Sequence, residues 1–88
     1  MRILLIISRL AIATPAVAGP QCTDQPAAKW LAKDEFMKTI VAEHGYKVEV
    51  FKVTAGNCYE LYGRDKAGKR IEIYYNPMTA DVVKSNAR

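Results

Sequence analysis

The spacing of apolar residues changes character three times along the chain. Residues 3–13 form an apolar stretch broken only by Ser8-Arg9. From Trp30 the spacing becomes helical: Phe36, Ile40, Val41 and His44 fall at i, i+4, i+5 and i+8, with Met37 beside them, which predicts one apolar stripe on a helix. Asp34 and Glu35 fall in its first turn, where the helix dipole favours negative charge. Neither Ala32 nor Lys33 is a good N-cap, so the start is open by a residue or two, whereas Gly45 suits the C′ position that ends a helix.

Beyond Gly45 the period drops to two. Residues 46–54 are rich in valine and aromatics and predict a strand. Residues 58–64 predict a second, with Tyr59 and Leu61 on one face and Glu60 and Tyr62 on the other. Residues 70–76 predict a third, in which Ile71, Ile73 and Tyr75 alternate with Arg70, Glu72 and Tyr74. Ala55-Gly56-Asn57 and Asp65-Lys66-Ala67-Gly68-Lys69 are the turns between them, and Asn76-Pro77-Met78-Thr79 is another. Residues 80–83 add at most a short extended piece, and the polar tail from Lys84 reads as frayed.

The first strand does not alternate cleanly: Val48 and Val50 share one parity, Phe51 and Val53 the other. A β-bulge between Val48 and Phe51 would bring Val48, Phe51 and Val53 to one side. The expected fold is therefore α+β, one helix packed on a three-stranded antiparallel sheet. Its expected core is Trp30, Phe36, Ile40, Val41, Val48, Phe51, Val53, Tyr59, Leu61, Ile71, Ile73 and Tyr75.

Composition separates the chain into two parts. The first 18 residues hold 13 of the hydrophobic residues and only two charges, Arg2 and Arg9. A short positive start, an apolar stretch, Pro15 and then Ala16-Val17-Ala18 have the form of a secretory signal peptide cleaved between Ala18 and Gly19. The stretch is too short and too interrupted to serve as a membrane anchor. The formal charge of the whole chain is +4. Without residues 1–18 it falls to +2, and the basic residues are interleaved with acids, which disfavours nucleic-acid binding. Residues 19–29 form an extended, Pro-containing lead-in.

The two cysteines, Cys22 and Cys58, allow a single intramolecular pairing. An even count in a small exported domain argues for a structural disulfide, and the absence of a C-x-x-C spacing argues against a redox pair. Catalytic chemistry finds no foothold. His44 is the only histidine and stands at a helix C-terminus. No nucleophile motif, phosphate loop or zinc spacing is present, and Met37 and Met78 read as packing residues rather than haem ligands. No enzyme activity, no cofactor and no metal are expected.

The order of small motifs is distinctive: a tryptophan before a helix, then Gly45-Tyr46 and Val48. Cys58-Tyr59-Glu60-Leu61-Tyr62 and Asp65-Lys66-Ala67-Gly68-Lys69-Arg70 come next, and Ile71-Glu72-Ile73-Tyr74-Tyr75-Asn76-Pro77-Met78-Thr79-Ala80 completes the series. In this order the chain resembles the PepSY family in its small, free-standing exported form, from Trp30 to about Val83. Two departures stand out: the family usually has aspartate where Asn76 stands and glycine where Ala80 stands. The resemblance implies a noncatalytic module of the cell envelope or exterior, spanning residues 30–84 with a flexible tail at 85–88. The family occurs in propeptides of thermolysin-like metallopeptidases and in spore-germination and membrane proteins, and it offers no catalytic residues to carry over.

A sheet covered on one side leaves its other face open. On the expected parity that face carries Lys52, Glu60, Tyr62, Arg70, Glu72 and Tyr74. It reads as a solvated face, as a docking face anchored by Tyr62 and Tyr74, or as a sheet whose edges pair with a partner strand. The leading functional expectation is a periplasmic or secreted binding module that interacts with, or inhibits, an envelope or secreted peptidase. The alternatives are a self-associating structural protein of the periplasm, as a homodimer, or a carrier of a small ligand such as haem.

Overall fold

The computed structural model describes residues 19–87, with side chains through Asn86. The expected signal peptide, its cleavage site and Arg88 lie outside the described residues. A 3-10 turn at Ala27–Lys29 leads into one helix, α1 (Lys33–His44), followed by β1 (Lys47–Val53), β2 (Tyr59–Arg64), β3 (Arg70–Tyr75) and β4 (Val82–Ala87). The strands form one antiparallel meander in the order β1-β2-β3-β4, so each pairs with its neighbour in sequence.

Helix α1 begins at Ala32, whose side chain makes no capping hydrogen bond, and Asp34 and Glu35 occupy the first turn. It ends at Gly45, where φ is 67° and the amide donates to the Val41 carbonyl at 2.8 Å. That left-handed geometry is accessible to glycine without steric cost. The helix lies on one face of the sheet and buries Phe36 and Ile40 against Tyr59, Leu61, Ile71, Ile73 and Tyr75, with Trp30, Tyr46, Val48, Phe51 and Ala80 packed around them. Phe36 is the hub. Its ring centroid lies 5.7, 5.1 and 4.9 Å from those of Phe51, Tyr59 and Tyr75, spacings at which tilted and edge-on aromatic pairs attract.

The bulge is present. Val48 pairs with Gly63 and Val50 with Tyr62, leaving Glu49 with no opposite residue. The extra residue resets the parity, so Val48 and Phe51 both reach the core. Gly63 makes the bulge possible, because a Cβ there would run into the Lys47 carbonyl.

Three expectations need correction. The sheet has four strands, not three: residues 82–87, expected as a short extended piece and a flexible tail, pair with β3. Backbone hydrogen bonding along an edge holds this strand, whose side chains through Ser85 are all exposed, so no alternation marks it. Val41 is not in the core but 40% exposed. At 100° per residue it lies about 140° around the helix from Phe36, off the stripe. Val53 is 51% exposed. It faces the helix side by register, but it ends an edge strand at the margin of what the helix covers.

The lead-in is tied across the far end of the sheet. Cys22 and Cys58 are bonded, with Cα atoms 5.1 Å apart. Cys22 also donates its amide to the Gly56 carbonyl at 2.9 Å, and its own carbonyl accepts from the Asn76 side chain at 3.3 Å. The Asn57 amide side chain donates to the Thr23 carbonyl. Trp30 Nε1 donates to the Gln25 carbonyl at 3.0 Å, and the Tyr59 hydroxyl to the Leu31 carbonyl at 2.6 Å. Asn76 organises the last turn as well. Its side-chain oxygen accepts from the Met78 amide at 2.9 Å and its carbonyl from the Ala80 amide at 2.8 Å.

Candidate functional site

The face of the sheet opposite α1 is built by alternation. Tyr59, Leu61 and Gly63 of β2, like Ile71, Ile73 and Tyr75 of β3, are buried on the helix side. Glu60, Tyr62 and Arg64 of β2 therefore point the other way, as do Arg70, Glu72 and Tyr74 of β3. Register places Glu60 between Lys52 and Tyr74, and Tyr62 between Val50 and Glu72. Lys52, Glu60, Tyr62, Arg70, Glu72 and Tyr74 thus share one surface, with Arg70 towards the hairpin end opposite Arg64.

The bulge and β4 add residues that sequence patterning leaves out. Val50, 49% exposed, stands beside Tyr62. Arg64 Nε pairs with the bulged Glu49 at 3.2 Å. Lys84 lies opposite Tyr74, and Asn86 lies opposite Glu72, donating to Glu72 Oε1 at 3.0 Å. No pattern in residues 82–87 announces these two positions, since a lysine and an asparagine among exposed residues read as tail. Shallow depressions run across this face, one lined by Val50, Lys52, Tyr62 and Arg70, another by Lys52, Thr54, Glu60 and Tyr74.

Glu60 is the unusual member. It occupies the face opposite α1, yet it is 3% exposed. Lys52 Nζ lies 3.6 Å from Oε1, and the same ammonium stands 5.6 Å from the centroid of the Tyr62 ring, within cation–π range. The Tyr62 phenol is held protonated well above its ordinary range, first by hydrogen bonding to Glu72 and then to Glu60. The Tyr74 phenol is pushed up to about 12, chiefly by hydrogen bonding to Glu60. Among the described residues Glu60 Oε2 is buried without a hydrogen-bond partner, so the contacts of the two phenols with this carboxylate leave that oxygen unsatisfied. The lead-in reaches this surface too, with Gly19 against the Tyr74 ring.

The other chemically interesting side chains lie apart from it. Exposed His44, at the end of α1, stacks on Tyr46 with ring centroids 4.9 Å apart and lies 3.7 Å from Glu43. Met37 lies beside Val41 and Val48 in the seam between α1 and β1, while Met78 is half-buried in the turn after β3. Among the described residues no three His, Cys, Asp or Glu side chains gather into a metal-binding set. Nor, among those residues, is any helix long and apolar enough to cross a membrane.

A family model described as "Peptidase propeptide and YPEB domain" matches residues 2–86. No curated protein and no solved structure matches the chain.

Proposed function

Because the chain belongs to the PepSY family of peptidase propeptide and YPEB domains, we propose that it is a noncatalytic module that binds and restrains an envelope or secreted peptidase. The observation that carries this reading is the family match over residues 2–86. The open sheet face is the docking surface in this reading. It offers Tyr62 and Tyr74, amphipathic side chains of the kind that anchor interfaces. Periplasmic or secreted residence agrees with the Cys22–Cys58 bridge, since such bonds persist in oxidising compartments.

The test is inhibition. The protein is titrated into envelope and culture-supernatant fractions while peptidase activity is followed with fluorogenic peptides. At least one activity should fall saturably, and Tyr62→Ala with Tyr74→Ala should raise the half-inhibitory concentration at least tenfold. If every peptidase activity is indifferent to the protein, the proposal is wrong.

A second reading, self-association, has its own observation. Both outer strands, β1 and β4, present unpaired edges among the described residues, and Val82 and Val83 are exposed on β4. It requires a concentration-dependent dimer in sedimentation; a monomer across a wide concentration range removes it.

A further inference from the structure

The fold satisfies the Glu60 carboxylate only in part: Lys52 and the phenols of Tyr74 and Tyr62 interact with it, yet one oxygen is left over. Among the described residues Oε2 is buried and has no hydrogen-bond partner, and an unpaired buried polar atom is destabilising. An incoming donor at this position would recover what the free protein forgoes. The other oxygen meets Lys52 Nζ at 3.6 Å, which is long, and the lysine side chain is 55% exposed. That ammonium also stands over the Tyr62 ring. Lys52 therefore marks a place for a cation bounded by a carboxylate and an aromatic face.

The geometry favours one cation over another. An ammonium is a compact charge, and here it reaches one carboxylate oxygen and leaves the second unsatisfied. A guanidinium carries parallel N–H donors that match both oxygens of a carboxylate, and it stacks on aromatic rings. The surroundings restrict what bears it. Arg70 and Lys84 share the face and would repel a polybasic segment, whereas acidic neighbours of a single arginine would be welcome.

We propose that Glu60, flanked by Tyr62 and Tyr74, is the binding site for an arginine side chain of a protein partner, presented on an otherwise acidic surface, with Lys52 as the internal cation it displaces. The proposal rests on the sheet face being the docking surface, and it names the group received there.

The probe is acetyl-Asp-Arg-Asp-amide, titrated at low salt into the labelled full chain while the Tyr62 and Tyr74 ring resonances are followed. Saturable shifts in both rings are expected. Replacing arginine by citrulline, which keeps the shape and removes the charge, should weaken binding at least tenfold, and so should Glu60→Gln. Lys52→Met, which removes the competing charge but keeps the stem, should tighten it severalfold. Equal binding of the citrulline peptide overturns the proposal, as does an unchanged affinity in Lys52→Met. If Glu60→Gln does not fold, the citrulline comparison on the unaltered chain still decides. Peptide binding without inhibition of any peptidase supports this site and removes the function proposed above. Inhibition without peptide binding removes this site and leaves that function standing.

Discussion

Reducing the Cys22–Cys58 bond should cost this domain most of its stability. The bridge spans 36 positions of sequence. In the chain-entropy model, closing a loop of that size removes about 13 cal/mol/K from the unfolded chain, or about 4 kcal/mol at 25 °C. Local losses in the folded state should add little. Cys58 is fully buried, and its sulfur lies 3.3 Å from the Pro20 carbonyl, so a free thiol there would find an acceptor. Cys22 would keep its backbone bonds to Gly56 and Asn76. For a domain this small, 1 kcal/mol corresponds to about 4–8 °C in melting temperature, so reduction should lower it by about 15–30 °C. Urea unfolding followed by circular dichroism, with and without a dithiol, measures the difference, and Cys22→Ser should match the reduced protein. A loss below about 1 kcal/mol, with both thiols shown to be free, would refute the reasoning. It would mean that residues 19–29 detach before the sheet unfolds, so that the bridge barely constrains the global transition. Hydrogen exchange would then show the Cys22 and Leu31 amides, bonded to Gly56 and Pro77, opening far more readily than those of β2.

Three further predictions follow from particular backbone and side-chain positions. Ala80 has φ of 67°, where a Cβ is disfavoured by about 1–2 kcal/mol, so Ala80→Gly should stabilise the fold by about 0.5 kcal/mol after the extra freedom of glycine in the unfolded chain is counted; a net destabilisation in urea would contradict this. Gly63→Ala should cost about 2 kcal/mol or more, because the new methyl meets the Lys47 carbonyl and Val48 backbone at the bulge; a loss under about 0.5 kcal/mol would show that the bulge relaxes freely. Tyr62 and Tyr74 are raised by their carboxylate neighbours, and Tyr59 and Tyr75 by burial. Folding therefore favours the protonated phenols: their contribution is complete below the ordinary pKa near 10 and is lost as pH rises through the folded values, about 12 for Tyr74. Absorbance titration should show most of the five tyrosines ionising late and together with alkaline unfolding, whereas one midpoint near 10 with the fold intact would count against these contacts.

What the sequence reveals tracks how side chains are buried. Phe36 and Ile40 on the helix, and the alternation of Tyr59 and Leu61 with Ile71, Ile73 and Tyr75, are legible because each lies on one buried face. Even the bulge is legible, since the parity of Val48 and Phe51 can be reconciled in no simpler way. Strand β4 is not, because backbone pairing, with one side-chain bond from Asn86 to Glu72, holds it and its side chains obey no period. The composition of the open face could be read, but the burial of Glu60 could not. Alternation places that residue towards solvent, and only the register shows Lys52 and Tyr74 directly across from it, with Tyr62 leaning in. Lys52, Tyr62 and Tyr74 are the long neighbours that surround it on this face.

The contrast between the sheet and the lead-in sets an order of events in folding. Every strand pairs with the next, so the meander assembles from short-range hairpins, which close quickly. The contacts of the lead-in span far more chain: 34 positions from Thr23 to Asn57, and 54 from Cys22 to Asn76. They cannot form until the turns beyond β1 and β3 exist. In any process that delivers the chain from its N-terminus, Cys22 emerges first and waits, unpaired, for a partner that arrives 36 residues later. Cys58 itself arrives ahead of β2, β3 and β4, so a bridge closed on its arrival would tether the lead-in before the sheet sets its register.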